Sequence, residues 1–158
     1  MSKATIVMFS GDLDKALAGF VIASGAAAAG WEVTMFFTFW GINIVRDPNK
    51  QPQKPKTFVE KMFGWMMPKG ADRLKLSKMN MGGMGTSMMK KRMALKKVKP
   101  LREMMKDAKE LDVKMLVCDM SMDIMGLQKE EFIDEVDDIV GVGTYLKESK
   151  DANLTLFI

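Results

Sequence analysis

Histidine is absent from all 158 residues. That absence removes Ser-His-Asp and Cys-His nucleophile pairs, imidazole acid–base chemistry and histidine-ligated metals. Cysteine is almost missing as well. Cys118 stands alone, so neither an intramolecular disulfide nor a Cys-x-x-Cys redox pair can form within the chain. No apolar leader precedes the first hydrophobic run, and together with the single thiol this sets the expectation of a reducing, cytoplasmic environment. Long hydrophobic runs are lacking too. The uncharged stretch 16–31 is rich in Ala and Gly, is closed by Glu32, and falls short of the roughly 20 residues a spanning helix needs. A buried helix is the better reading of it, while a second uncharged and very apolar stretch, 33–45, keeps a membrane-embedded or membrane-surface role open as the lesser alternative. Neither a Gly-x-Gly-x-x-Gly nor a Walker pattern is present, which removes the common phosphate-cradling loops.

What is present describes a folded globule. With 47% hydrophobic and 28% charged residues the chain has enough apolar content for a core. Its length fits one domain over residues 1–158. Methionine, at 18 residues, is over-used; it is flexible and polarisable and suits irregular cores and adaptable contact surfaces. The net charge of +4 hides an uneven distribution. Residues 46–110 carry 18 Lys and Arg against 6 acids, whereas the remainder carries 6 against 14. A basic region of this kind steers acidic partners or anionic ligands, or is simply a solvated face. No aromatic-interleaved RNA-binding motif accompanies it, so nucleic acid is not expected as a partner.

Residues 4–9 (Ala-Thr-Ile-Val-Met-Phe) form a short apolar run with β-branched members, as in a strand buried on both faces. Ser10-Gly11-Asp12 then turns the chain into a helical pattern, with Leu13, Leu17, Phe20, Val21 and Ser24 inward and Gly30 as its stop. Ser10 or Asp12 is positioned to cap that helix. A second strand over 31–37 completes a right-handed βαβ unit, the seed of a doubly wound sheet. Phe36 and Phe37 read as core, while Phe39 and Trp40 fall where ligands of open α/β sheets bind.

Residues 47–56 hold Pro48, Pro52 and Pro55 among polar residues and read as an exposed linker. An amphipathic helix over 57–67 ends at Pro68. The Met-, Lys- and Gly-rich stretch to Lys99 is too apolar for a linker and too glycine-rich for one continuous helix, which suggests a mobile flap or an oligomer-contact arm. From Pro100, the positions Leu101, Met104, Met105, Ala108 and Leu111 mark a further amphipathic helix. A third strand spans 113–118 and a short helical turn follows with Ser121 as its cap. A turn at 130–133, a weak strand at 136–140, a helix after Gly141 through Lys150 and a final strand over 154–158 bring the count to five strands. The expected fold is a three-layer α/β domain with a mostly parallel five-stranded sheet and a basic insert at about 46–99.

Cys118 ends a buried strand just before a turn, so backbone N–H groups and the positive end of a short helix could face its sulfur; such donors favour thiolate, the nucleophilic form. Asp119 and Asp123 oppose this if they point inward. An inert buried cysteine is the plain alternative. The stretch CDMSMDIMG at 118–126 resembles the cysteine motif of the DsrE/DsrF-like sulfur-carrier family, in the branch with Cys-x-Met-Ser-Met-Asp. The resemblance extends to the first strand with its Ser-Gly-Asp turn, to MFFTFWG at 35–41 and to GVGTYLKESKDANLTLFI at 141–158. It implies a flavodoxin-like fold, homo- or hetero-oligomers, and relay of sulfane sulfur as a persulfide on Cys118. Donor and acceptor proteins or low-molecular-weight persulfides would be the partners, and Ser10, Gly11, Asp12, Phe39, Trp40, Asp119, Met120, Ser121, Met122 and Asp123 would line the site. Such a relay calls for no metal and no cofactor.

Two other functions fit parts of the sequence. A small-molecule or nucleotide-binding module would use Ser10 to Asp12 with Phe39 and Trp40. A soft-metal or scaffold protein would use the thioethers of the insert. Within the sulfur-carrier reading, the insert is expected at the carboxyl edge of the sheet, screening Cys118 until a partner docks; a remote assembly arm is the alternative.

Overall fold

The computed structural model describes all residues, 1–158. Five strands, β1 (Lys3–Met8), β2 (Glu32–Phe37), β3 (Lys114–Cys118), β4 (Asp138–Val140) and β5 (Leu154–Phe157), form one sheet in the order β4-β3-β2-β1-β5. Every pairing is parallel, so the expected mostly parallel sheet is wholly parallel. From β1 to β4 the chain moves steadily across the sheet, and the last crossover runs back past β1 to β5. Right-handed crossovers in opposite directions put their helices on opposite faces. Helices α1 (Leu13–Ala28) and α4 (Leu101–Glu110) therefore lie together on one face, and α6 (Val142–Ser149) lies on the other. A short helix, α5 (Asp119–Ile124), joins β3 toward β4.

The two faces differ in chemistry. On the α1/α4 face, Ala4, Ile6 and Met8 of β1, Val33, Met35 and Phe37 of β2, and Met115 and Val117 of β3 are the strands' share of the main core of 26 buried residues. The α6 face is graded. Lys3 and Glu32 start it, Thr5 and Thr34 follow, and Val7, Phe36 and Leu116 end it, in register across the strands. A separate cluster of five buried residues, Val7, Phe36, Leu116, Cys118 and Tyr145, lies at that apolar end.

Helix α1 corrects one part of the expected stripe. Leu13, Ala16, Gly19, Phe20 and Ala23 are buried, whereas Val21 is 58% exposed. Small residues rotate the contact face because they let the helix approach the sheet; a Cβ on Gly19 would lie 2.5 Å from the Met8 Sδ. Leu111 is likewise exposed, standing at the C-cap of α4 beyond its inward face. Nor does Ser10 or Asp12 cap α1 through its side chain. The Asp12 N–H donates to the Ser10 Oγ at 3.1 Å, and that hydroxyl donates to the Asp12 Oδ2 at 3.0 Å.

The inserted region holds α2 (Phe58–Met66) and α3 (Met84–Leu95). Thr57 and Glu60 close a capping box that starts α2. Gly82 and Gly83 take left-handed φ of 68° and 100° before α3, so the glycines that argued against one long helix mark where a shorter one begins. The proline-rich segment 47–56 is exposed over most of its length but is tied down: Gln53 and Lys54 N–H groups donate to the Gln128 Oε1, and Lys50 Nζ donates to the Phe132 carbonyl.

Replacing Phe20 by Ala should cost about 3–5 kcal/mol in urea unfolding, the range for deleting a fully buried aromatic. Val21→Ala, one residue on, should stay within about 0.5 kcal/mol. Equal costs would show that the helix face is assigned wrongly.

Candidate functional site

Cys118 is the last residue of β3 and occupies the N-cap position of α5. Strand alternation sends its side chain with Leu116 to the α6 face, away from α1 and α4. Five per cent of its surface is exposed. Phe36 and Tyr145 belong to the same buried cluster and stack with ring centroids 5.0 Å apart. Tyr145 is the one residue of α6 that is buried. Sequence reading missed it as a neighbour of the cysteine; the signal was there in the only tyrosine of the chain, on the helix that follows the cysteine-bearing βα unit.

Two bases at the opposite, amino end of the sheet hold the far end of α6. Lys3 of β1 reaches Glu148 at 3.1 Å and Lys114 of β3 reaches it at 3.0 Å. Burial by itself would raise the Glu148 carboxyl, yet the hydrogen bonds from Lys114 and Lys3 prevail and hold it below its ordinary value. The carboxylate is therefore a clamp between the helix and two strands.

Ser121 is not the helix cap that the sequence suggested, because α5 begins two residues earlier, at Asp119. It is fully buried inside the helix. Its Oγ accepts from the Phe39 N–H at 3.0 Å and pairs with the Thr38 Oγ1 at 3.0 Å. These bonds fasten the helix carrying the cysteine motif to the loop leaving β2. They also hold Phe39 at φ 51°, an uncommon conformation for a residue with a side chain. Phe39 stacks on Phe9 at 5.8 Å and meets Trp40 edge-on at 5.1 Å, and Phe9 stacks on Phe157 at 5.5 Å. An aromatic row thus follows the carboxyl edge from Trp40 to β5.

The expected site residues separate into two groups. Ser10, Gly11, Asp12 and Trp40 line a crevice of about 370 Å³ whose other wall includes Phe63, Met66 and Pro68 of the insert. Gly11 is required there, since a Cβ would sit 2.7 Å from the Trp40 carbonyl oxygen. Cys118 and its followers are not among the crevice walls. Asp119, Met120 and Asp123 are exposed and Met122 packs against the main core, so the two carboxylates point outward. Phe39 lies between the groups, joined to one through Ser121 and to the other through Trp40.

The insert reaches the carboxyl edge, as expected, but does not screen Cys118. Met67, Ala71 and Leu74 anchor it in the main core on the α1/α4 face. No residue of 47–99 belongs to the Cys118 cluster. α6, through Tyr145, is the cover. Elsewhere the histidine-free sequence yields no group of three or more Cys, Asp and Glu able to hold a metal ion.

Fold and site together define a three-layer α/β domain with a lone thiol at the carboxyl end of an inner strand. The chain belongs to the DsrE/DsrF/DrsH-like family, whose model matches residues 1–157. It is 49% identical over 156 residues to YrkE of Bacillus subtilis (strain 168), a protein described as uncharacterized, covering 99% of this chain and 96% of that one. It is 36% identical over 162 residues to the sulfur carrier protein DsrE2 of Allochromatium vinosum, covering 99% and 98%. Among solved structures it resembles the ychN protein from E. coli, with a TM-score of 0.54 at 12% identity and full coverage of both chains. It also resembles MTH1491 from Methanobacterium thermoautotrophicum, a protein of unknown function, with a TM-score of 0.55 at 10% identity and 99% coverage of both. Those two likenesses establish the fold.

Two outcomes follow from the site. Ser121→Ala leaves a buried N–H without its acceptor and should cost about 1–3 kcal/mol, several degrees of melting temperature at roughly 2–4 °C per kcal/mol in a chain of this size; an unchanged melting point would remove Ser121 as the fastener. The Glu148 clamp is present above the unfolded carboxyl value of 4.5 and is lost as pH falls through its lower folded value. Glu148→Gln should accordingly lower stability at neutral pH and converge with the parent in acid, read from urea midpoints across pH.

Proposed function

We propose that the protein carries sulfane sulfur on Cys118 as a persulfide and passes it to another thiol. The observation that supports this most is the position of the only thiol: at the carboxyl end of β3, in a member of the DsrE/DsrF/DrsH-like family with a relative described as a sulfur carrier. The exchange needs one thiolate at each end. The Cys118 thiolate attacks the outer sulfur of a donor persulfide, the donor S–S bond breaks, the donor leaves as a thiolate, and Cys118–S–SH forms. An acceptor thiolate then attacks that outer sulfur and Cys118 departs as thiolate. Oxidation states balance over the two transfers, so no cofactor is required.

Burial shapes the reaction. At 5% exposure a loaded sulfur is shielded from stray thiols, and transfer needs α6 or α5 to give way when a donor or acceptor docks. Proteins bearing a persulfide, or small persulfides, are the partners this scheme requires. Self-association belongs to the same reading. A parallel sheet is ordinarily covered on both faces, yet on the face opposite α1 and α4 there is a single short helix, α6, leaving Phe157 at 70% exposure with Phe9, Val142 and Leu146 also open. A second copy would cover them.

Treatment with inorganic polysulfide should add one sulfur, about 32 Da, to the intact mass, and Cys118→Ser should abolish the addition. Equal labelling of the variant would dispose of the proposal. Light scattering should report a mass above the 17.7 kDa of one chain; a monomer at all working concentrations would remove the self-association.

A further inference from the structure

Helix α2 is amphipathic the wrong way round. A helix on the surface of a globular protein turns its apolar stripe to the core. Here Phe58, Met62, Trp65 and Met66, at i, i+4, i+7 and i+8 with Val59 beside them, are all exposed, Phe58 at 81% and Trp65 at 86%. No residue of α2 is buried. Toward the body it turns Glu60, Gly64 and the half-exposed Phe63: a Cβ on Gly126 would lie 2.5 Å from the Glu60 Cγ, one on Gly64 would lie 3.9 Å from the Arg46 guanidinium, and Phe63 with the edge of Met66 borders the Ser10–Trp40 crevice. The capping box of Thr57 and Glu60 sustains the helix without core contacts. Its apolar face is thus built and left open.

The surroundings say what covers it. Residues 47–99 hold 14 Lys and Arg, with only Asp47, Glu60 and Asp72 as acids. Of those bases, Lys50, Lys56 and Lys99 are ion-paired. On α3 and at its C-cap, Lys90, Lys91, Arg92 and Lys96 are exposed beside exposed Met84, Met88 and Leu95. A second copy brought against this region would set like charge on like charge. An anionic surface with an apolar interior would meet both features: outward aromatic tips at depth, and flexible lysines around them at the level of the charge.

We propose that the 47–99 region docks the protein on an anionic lipid bilayer, with the Phe58–Trp65 stripe of α2 entering the headgroup boundary and the arm's lysines meeting the lipid phosphates. The attachment is peripheral, since no helix is long and apolar enough to cross a membrane. It departs from the sequence-based expectation, which weighed only the stretches at 16–45 as membrane candidates; those prove to be α1, β2 and a buried turn. The inference does not rest on the chemistry of Cys118.

Co-sedimentation of the full chain with phosphatidylcholine vesicles, with and without phosphatidylglycerol, tests it. Binding should require phosphatidylglycerol and weaken as salt rises. Phe58→Ser with Trp65→Ser should reduce partitioning by about tenfold or more, Lys90→Ala with Lys91→Ala should reduce it less, and Cys118→Ser should leave it unchanged. Bilayer insertion should also shift tryptophan emission to the blue, and Trp65→Phe should keep binding while losing that shift. Binding equal on neutral vesicles, full binding by the Phe58/Trp65 variant, or a shift that survives Trp65→Phe would overturn the proposal. Retention on polyglutamate without any vesicle binding would overturn it in favour of an acidic protein partner.

Discussion

A wholly parallel sheet can join its strands only by crossovers, and each crossover of fixed hand commits the chain between two strands to one face. In this chain the β1-to-β4 progression sends α1 and α4 to one face, and the single return crossover sends α6 to the other. The imbalance controls much else. One face can be uniformly apolar, while the other grades from charge through threonine to a small aromatic and aliphatic cluster. Cys118 falls in that cluster because it alternates with Val117, and α6 is the only element above it.

That arrangement relocates the functional argument. If the insert had covered the cysteine, the basic region would have been part of the sulfur site. Instead the insert is anchored through Met67, Ala71 and Leu74 on the other side of the sheet, and the cysteine is guarded by Tyr145 and by a helix clamped through Glu148 to Lys3 and Lys114. Ser121 connects the regions, bonding the Cys118 helix to the β2 exit loop and hence to the aromatic row. The surroundings of Cys118 and the outer face of the insert can therefore be altered separately.

The sequence made the strands legible because each is a short apolar run closed by a turn: 4–9, 31–37 and 113–118 all coincide with β1, β2 and β3 to within a residue or two. The first helix was legible in extent and in most of its face, Leu13, Leu17 and Phe20 included, but Val21 reads as inward because Ala16, Gly19 and Ala23, which are buried, carry little hydrophobic signal. Ser121 looked like a cap because serine after a strand commonly is one; its actual partners, Phe39 and Thr38, are more than eighty residues away. The two groups of site residues could not be separated in advance, because which side of the sheet Cys118 faces depends on strand register. The reversed polarity of α2 was equally hidden, as its pattern would read the same with its apolar stripe inward.

The most direct test of the central claim is to follow one sulfur atom. The protein would be loaded from a persulfide donor, digested and mapped by tandem mass spectrometry, and then exposed to an acceptor thiol. The account predicts added sulfur on the peptide containing Cys118, lost from it as the acceptor gains a persulfide. A Cys118 peptide that never gains sulfur in the folded protein, or that gains it and cannot release it to any thiol, would contradict the account.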